Sequence, residues 1–478
     1  MNIVEIIRKE TSEYYDHIAI IDDRRKISYK ELFSIVDVLK DKLASYGIGE
    51  FKRVALLQED GIEYIAVVLA VLSLKGVIVP ISPSLGWDET GSVIDRVDVE
   101  FFLSYKKANY FESQDDAVVI GFGQDKIFLY RRKIKMVCSD EYYSLNPAFV
   151  RFSSGTTSIS KGVVLSHEAI LDRTNAANRG LNIKPEDNII WVLSMSYHFV
   201  VTIILFLRKA ATIILCEKNF PFTFFEVLKT SAGTLMYASP FYYRIMQNSE
   251  ALSKEMLSNI RLAVSTAVEF SAEEVQRFHE KFEIEIREAY GIIEVGLPFI
   301  NFSKDKKRRG SVGKILPDYK LKIINPNENG VGSVYLKGKG MFDAYFSPWI
   351  TQKKLLKDGW FHTGDLGWVD DDGYLFLKGR EKNVINYSGM KIFPCDVEEV
   401  LNSYKSIKES FVYGVAHPQY GQLPQADLVL EESSKNSFDR QELRKFCHTK
   451  LALYKVPKEF RIVSKIKKTA SGKIKRIR

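Results

Sequence analysis

Between Val54 and Tyr105 the chain changes its hydrophobic period twice. VALLQ, from Val54, is an apolar run of strand length. The next segment carries apolar residues at Ile62, Ile65, Leu69 and Leu72, the spacing of a helix with one buried stripe, and VIVPI and FFLSY then return to short buried runs. Strand, helix, strand is the unit of a parallel α/β sheet. The alternation resumes in IIWVLSM, ATIIL, GTLMYA, RLAVST and EIREAYG, so the pattern predicts wound sheets with helices on their faces. The longest apolar stretch, FVVTIILFLRKAATIIL from Phe199 to Leu215, is cut by Arg208 and Lys209 before it reaches the length of a membrane span. Two buried strands, or a strand and a helix, are expected there.

From about Gly310 the pattern shifts to short strands punctuated by glycine, in GSVGKILPDYKLKII, GSVYLKGKG, GWFHTGD and DDGYLFLKGR. This predicts a β region after the wound sheets. Beyond Arg380 a helix is expected from Pro394 to about Tyr404, strands in SFVYGV and ADLVLE, and a helix near Asp439 to Leu451, followed by a lysine-rich tail. A boundary close to Gly379 and Arg380 with a small α+β domain after it accounts for the change.

At 478 residues the chain is long enough for more than one hydrophobic core. Its net charge of +8 is uneven: the basic excess lies beyond Arg380, and the tail from Lys455 to Arg478 holds ten basic residues against the single acid Glu459. Such a tail is either a solvated face or an attractor of polyanions. Cys138, Cys216, Cys395 and Cys447 are far apart without a C-x-x-C pair, which fits reduced thiols better than a disulfide frame or a zinc site. The N-terminus mixes charges into its first residues and has no apolar core of a secretory signal, so a cytoplasmic location is expected.

Candidate chemistry concentrates in RFSSGTTSISKGVVLSHEAI, from Arg151 to Ile170. Between Ser153 and Ser160 it places six hydroxyl side chains, with Gly155 and Gly162 nearby and Lys161 adding positive charge. Glycines admit backbone N–H groups to a phosphate and hydroxyls donate to its oxygens. The order Lys161-Gly162 excludes a Walker A loop, which needs Gly-Lys. Taken alone, the segment reads first as an ordinary hydroxyl-rich surface turn.

It does not stand alone. YGIIE at Tyr290 to Glu294, GWFHTGDLG at Gly359 to Gly367, GREKNVINYSGMKIFPCDVEEV at Gly379 to Val400 and TASGKIKR at Thr469 to Arg476 follow it in order. With these motifs the chain resembles the adenylate-forming superfamily of acyl-CoA synthetases, nonribosomal peptide adenylation domains and beetle luciferases, over essentially its whole length. The resemblance implies a large N-terminal domain of wound sheets with a β subdomain (residues 1–379), a hinge (380–382), and a small mobile α+β domain (383–478). It also implies two half-reactions. A carboxylate attacks the α-phosphorus of MgATP to give an acyl adenylate and pyrophosphate, and a thiol of CoA or of a phosphopantetheine arm then displaces AMP.

The resemblance further implies residue roles. Lys473 bridges the acid and the α-phosphate, where negative charge accumulates. Ser153, Ser154, Gly155, Thr156, Thr157 and Lys161 hold the phosphates, while Thr266, Tyr290 and Gly291 frame the nucleotide and Tyr290 stacks on adenine. Glu294, with Thr156, holds Mg²⁺ through hard oxygen ligands. Asp365 takes the ribose hydroxyls and Arg380 makes a second ribose or phosphate contact. Lys382 is the pivot that lets the small domain present first Lys473, then the thiol tunnel around Tyr387, Ser388 and Gly389. Tyr197, His198, Phe199, Val201 and Ile292 line the acid pocket.

Three departures stand out. Ser158 and Ser160 occupy positions where the family carries Gly and Pro, Ile293 replaces a threonine expected to touch the α-phosphate, and STAVEF after Val264 lacks the usual proline. A divergent, inactive member with a binding role is therefore an alternative. No Asp or Glu occurs from Met195 to Leu215, and a buried ammonium without a counter-charge is costly. An aryl or aliphatic acid is accordingly expected rather than an α-amino acid, with an amino-acid-activating domain as the remaining alternative. The basic tail fits either the phosphates of CoA or the acidic surface of an acyl or peptidyl carrier protein. A nucleic-acid partner is not expected, since no binding module for one is present.

Overall fold

The computed structural model describes the chain except residues 109–117, 123–124, 135, 137, 153–160, 217–219, 231, 267–269, 271, 436, 469–473 and 475–478. Its contacts divide it into two compact units, Met1–Lys320 with Lys337–Gly359, and Leu321–Leu336 with Trp360–Arg478. Trp360 to Gly379, expected with the first domain, thus groups with the residues beyond Arg380.

In the first unit one sheet runs through the strands Lys26–Ser28, Ile18–Ile21, Thr212–Leu215, Asn188–Trp191, Leu235–Ala238, Leu262–Ser265, Ile286–Ile292, Gly296–Ile300 and Gly313–Ile315. From Ile18–Ile21 to Ile286–Ile292 the neighbours are parallel, and the last two pairs are antiparallel. After Asn188–Trp191 the chain adds Thr212–Leu215 on one side and then Leu235–Ala238 on the other. In wound sheets, crevices for ligands open outside the carboxyl ends of strands where the order reverses in this way. The second sheet contains Arg53–Leu57, Val77–Ile81, Phe101–Ser104, Pro147–Phe152, Gly162–Ser166 and Ala344–Phe346.

The helix Ile62–Ser73 follows the first of these strands. Its residues from Ile62 to Leu72 are all buried, so the single apolar stripe read from the sequence understates its burial. It packs on the helices Ile3–Glu10 and Tyr29–Ser45, the second of which is started by a capping box between Ser28 and Glu31. The apolar stretch from Phe199 resolves into a helical turn, Phe199–Ile203, a short helix, Ile204–Arg208, and the strand Thr212–Leu215. Arg208 ends that helix fully buried because Glu10 meets its guanidinium (2.6 Å) and the Thr174 hydroxyl accepts a further bond (2.6 Å).

In the second unit the strands Phe361–Val369 and Tyr374–Arg380 form a hairpin that sets Asp365 opposite Arg380. Beyond it a long hairpin, Ile407–His417 with Gly421–Leu430, is flanked by Ile385–Tyr387 and Glu459–Ile462. The helices Pro394–Asn402 and Arg440–Lys450 complete the expected α+β region around a core that includes Ile392, Val397, Leu428, Leu443 and Phe460. Among the described residues no helix is long and apolar enough to cross a membrane.

Candidate functional site

The first unit gathers two of the expected groups, Lys161 and Glu294, around one tyrosine. Gly162–Ser166 pairs with Ala344–Phe346, which sets Tyr345 opposite Val163. The Lys161 ammonium lies 4.6 Å from the centre of the Tyr345 ring, and the Tyr345 hydroxyl donates to Glu294 Oε1 (3.1 Å). Lys161 is exposed and Glu294 half-buried, whereas Tyr345 is buried. Ser153, Ser154, Gly155, Thr156 and Thr157 lie outside the described residues, as do Ser158, Ser160 and Lys473.

Glu294 is fixed through its backbone as well. Its carbonyl accepts the Phe342 N–H (2.8 Å), and the carbonyl of the preceding Ile293 accepts Arg173 Nη1 (3.1 Å) while Arg173 Nε donates to Gly340 (2.9 Å). Arg173 is 1% exposed, and burial pulls its guanidinium down to about 10. A guanidinium driven underneath a carboxylate loop in this way ties two carbonyls at fixed angles. Asp343, behind the same strand, accepts the Ser166 N–H (2.7 Å), and burial raises its carboxyl to about 6. Neither Tyr345 nor Arg173 belongs to a motif read from the sequence.

Tyr290 is half-buried on Ile286–Ile292, with its ring 6.0 Å from Phe299, and Gly291 beside it is exposed. A side chain at Gly291 would stand 2.5 Å from the Gly296 carbonyl, so the turn that carries Glu294 requires glycine there. Ile292 is half-buried on the same strand end.

The segment expected to line the acid pocket meets two groups of aromatic rings. Phe199 is 1% exposed and touches Tyr64 and Phe149, which places it in the core. Tyr197 and His198 are half-buried, as is Val201. Tyr197 is bonded through its side chain to Ser82, and burial raises its phenol above the ordinary value. Arg151, itself buried, donates to the Tyr197 carbonyl. The His198 ring meets Trp191 edge-on at 6.5 Å, Trp191 stacks on Tyr237 at 6.1 Å, and the Tyr237 side chain is bonded to Thr266. Trp191 also borders a cavity lined by Val192, Leu193, Leu215 and Cys216 together with the acidic Asp22, Asp23 and Asp60. Asp60, a carboxylate from outside the segment, accepts the Met195 N–H (2.8 Å). Sequence reading found the segment Tyr197–Val201 but not Trp191 or Tyr237, which reach it across the sheet.

In the second unit Asp365 is 6% exposed and accepts Arg380 Nε at 2.7 Å, while Arg380 Nη1 donates to the Thr363 carbonyl (2.9 Å). The Thr363 hydroxyl in turn accepts the Asp365 N–H (3.0 Å). HTGD is thereby locked as a unit, with Gly364 at a φ of 73°. Lys382, exposed, sits in a short helical turn from Glu381 to Asn383. Tyr387 lies on a strand end, stacked on Tyr420 at 5.2 Å, and Ser388 and Gly389, both at positive φ, turn the chain back to Met390.

A carboxylate and an ammonium held by the same tyrosine suit a metal–polyphosphate complex, because Glu294 offers a hard oxygen to a divalent cation and Lys161 a charge to a phosphate. The residues present therefore fit MgATP.

Fold and site together define a class, the adenylate-forming enzymes. The chain matches the family of AMP-binding enzymes over residues 7–346 and the C-terminal domain of the same enzymes over residues 396–473. It belongs to that family. It is 28% identical over 345 residues to 4-coumarate--CoA ligase 5 of rice (Oryza sativa subsp. japonica), an alignment that takes in 68% of this chain and spans 64% of that protein's length. It is 26% identical over 465 residues to 2-succinylbenzoate--CoA ligase of Listeria monocytogenes, covering 96% of this chain and 95% of that one. Its fold is similar to that of ATP-bound MatB from Rhodopseudomonas palustris, with a TM-score of 0.85 at 22% identity over 99% of this chain and 97% of the other. The superfamily expected from the motifs is the one found.

Proposed function

We propose that the protein is an AMP-forming acid–thiol ligase that activates an aryl or aliphatic carboxylic acid lacking an α-amino group, then transfers the acyl group to CoA. The observation that carries the reading is the convergence of Lys161, Tyr345 and Glu294 at one strand end, with buried Arg151 interacting electrostatically with Glu294 while it donates to the Tyr197 carbonyl of the segment that carries His198. Two anions must meet for adenylation, so the site has to neutralise the nucleotide while keeping the acid in place. Mg²⁺, when bound, supplies charge neutralisation of the phosphates. The chain supplies the rest: Lys161 binds phosphate, Glu294 anchors the metal, the aromatic rings about His198 exclude water around the acyl group, and Asp365, held by Arg380, accepts the ribose hydroxyls. Lys473 bridges the acid carboxylate and the α-phosphate in the first half, and the turn at Tyr387, Ser388 and Gly389 lines the path of the thiol in the second, with Lys382 as the pivot between them.

The names of relatives such as 4-coumarate--CoA and 2-succinylbenzoate--CoA ligases support an acid with an aromatic ring and CoA as the acceptor. The absence of a carboxylate from Met195 to Leu215 supports exclusion of α-amino acids, and Asp60 is already engaged by a backbone N–H. The test is pyrophosphate release from ATP with aryl, aliphatic and α-amino acids, followed by thioester formation with CoA and with a phosphopantetheinylated carrier protein. Turnover with α-amino acids alone contradicts the acid class, and transfer to the carrier protein but not to CoA contradicts the acceptor.

A further inference from the structure

Glu294 and Lys161 are far apart in sequence and carry opposite charges, yet they do not pair directly: Tyr345 stands between them. Its hydroxyl donates to Glu294 Oε1 at 3.1 Å while its ring carries the Lys161 ammonium at 4.6 Å from the centroid. The side chain is only 6% exposed, its strand is pinned to Gly162–Ser166 in register Tyr345↔Val163, and Phe342 packs on it at 4.9 Å. Phe342 also donates its N–H to the Glu294 carbonyl. The ring is thus packed in place, and it connects the two charged groups through different parts of one residue: the face holds a cation, the hydroxyl a carboxylate.

We propose that Tyr345 is a positioning residue that prepares the site for a metal–polyphosphate. Without ligand it keeps the Lys161 ammonium from collapsing onto the Glu294 carboxylate. That direct pair would consume the charge each needs for its own ligand, the phosphate for the lysine and the divalent cation for the carboxylate. The hydroxyl also takes one carboxylate oxygen and so fixes the side chain's rotation, which selects the oxygen offered to the metal. The inference rests on the proposed MgATP site but not on the acid or the thiol.

Because the ring and the hydroxyl do separate jobs, two substitutions separate them. Tyr345→Phe keeps the ring and removes the hydrogen bond; Tyr345→Leu removes both. Binding of ATP to the full chain is measured by calorimetry with Mg²⁺ and with EDTA, and folding of each variant is checked by its unfolding midpoint. Tyr345→Phe is expected to leave metal-free ATP affinity within about twofold and to reduce the gain in affinity conferred by Mg²⁺ about tenfold, as loss of a hydrogen bond to a charged group implies. Tyr345→Leu is expected to weaken metal-free ATP as well. Glu294→Gln should reproduce the Tyr345→Phe loss, and the double variant should lose no more than Glu294→Gln alone, since both act through one carboxylate. Equal loss with and without Mg²⁺, additive effects in the double variant, unchanged Mg²⁺ dependence in Tyr345→Phe, or no MgATP binding by the unaltered protein would each overturn the inference. MgATP binding without pyrophosphate release from any acid would instead count against the proposed function alone.

Discussion

His167 and Asp343 give the first unit two opposed responses to acid, and substituting one should expose the other. His167 is fully buried, its Nδ1 accepts the Ile3 N–H (3.2 Å), and burial lowers its imidazole from 6.5 to about 4. Above pH 6.5 it is neutral folded or unfolded and costs nothing. Between 6.5 and 4 the unfolded chain takes up a proton that the folded one refuses, so stability falls by up to about 1.4 kcal/mol per pH unit. Asp343 behaves in the opposite sense. Burial raises its carboxyl from 3.8 to about 6, so as pH falls from 6 towards 3.8 the folded state gains a proton first and is stabilised by a similar slope. Over pH 6 to 4 the two largely cancel. Between pH 7 and pH 5, Asp343→Asn removes the aspartate's gain and should lose about 1 kcal/mol more than the parent, whereas His167→Gln removes the histidine's penalty and should lose about 2 kcal/mol less than the parent, a divergence of about 3 kcal/mol. Asn and Gln each keep an acceptor for the Ser166 and Ile3 N–H groups. The assay is urea unfolding of both variants and the parent at the two pH values, reading each variant's change against the parent's so that other titrating groups drop out. If both variants follow the parent in parallel, the burial argument for these groups is wrong.

Other outcomes follow from the site. Asp365→Ala should raise KM for ATP at least about tenfold through loss of a charged acceptor, with KM for the acid little changed, in a pyrophosphate-release assay. Trp191→Ala opens the wall beside His198 and Tyr237; it should shift kcat/KM towards bulkier acids across a homologous series and destabilise the protein by about 3 to 5 kcal/mol. Gly389→Ala places a side chain at a φ of 85°, costing about 1 kcal/mol; it should slow thioester formation while leaving pyrophosphate release unchanged, as single-turnover measurements of the two halves would reveal.

Much of this architecture is legible in the sequence because it is local. The alternation from Val54 to Tyr105 and from Ile189 to Gly291 marks the wound sheets, since strand and helix periods are short-range signals. The stretch from Phe199 to Leu215 resists such reading, because a segment buried on every side shows no amphipathic period, and only packing decided that its first half is helical. The motifs name Lys161, Glu294, Asp365 and Arg380, but not what holds them. Tyr345, Arg173, Trp191 and Tyr237 act across strand pairings and helix contacts between residues distant in sequence, and a lone Tyr or Arg carries no sign of that. Asp365 and Arg380 are the reverse case: a hairpin brings them together, so their pairing is close to readable from the chain.

The most direct test of the account is pyrophosphate release from ATP and Mg²⁺ across aryl, aliphatic and α-amino acids, with Lys473→Ala beside the unaltered protein. The account predicts release with an acid lacking an α-amino group, falling at least about a hundredfold in Lys473→Ala as a bridging charge in the transition state is lost. Release that survives the substitution, or no release from any acid by a folded protein that binds MgATP, would contradict it.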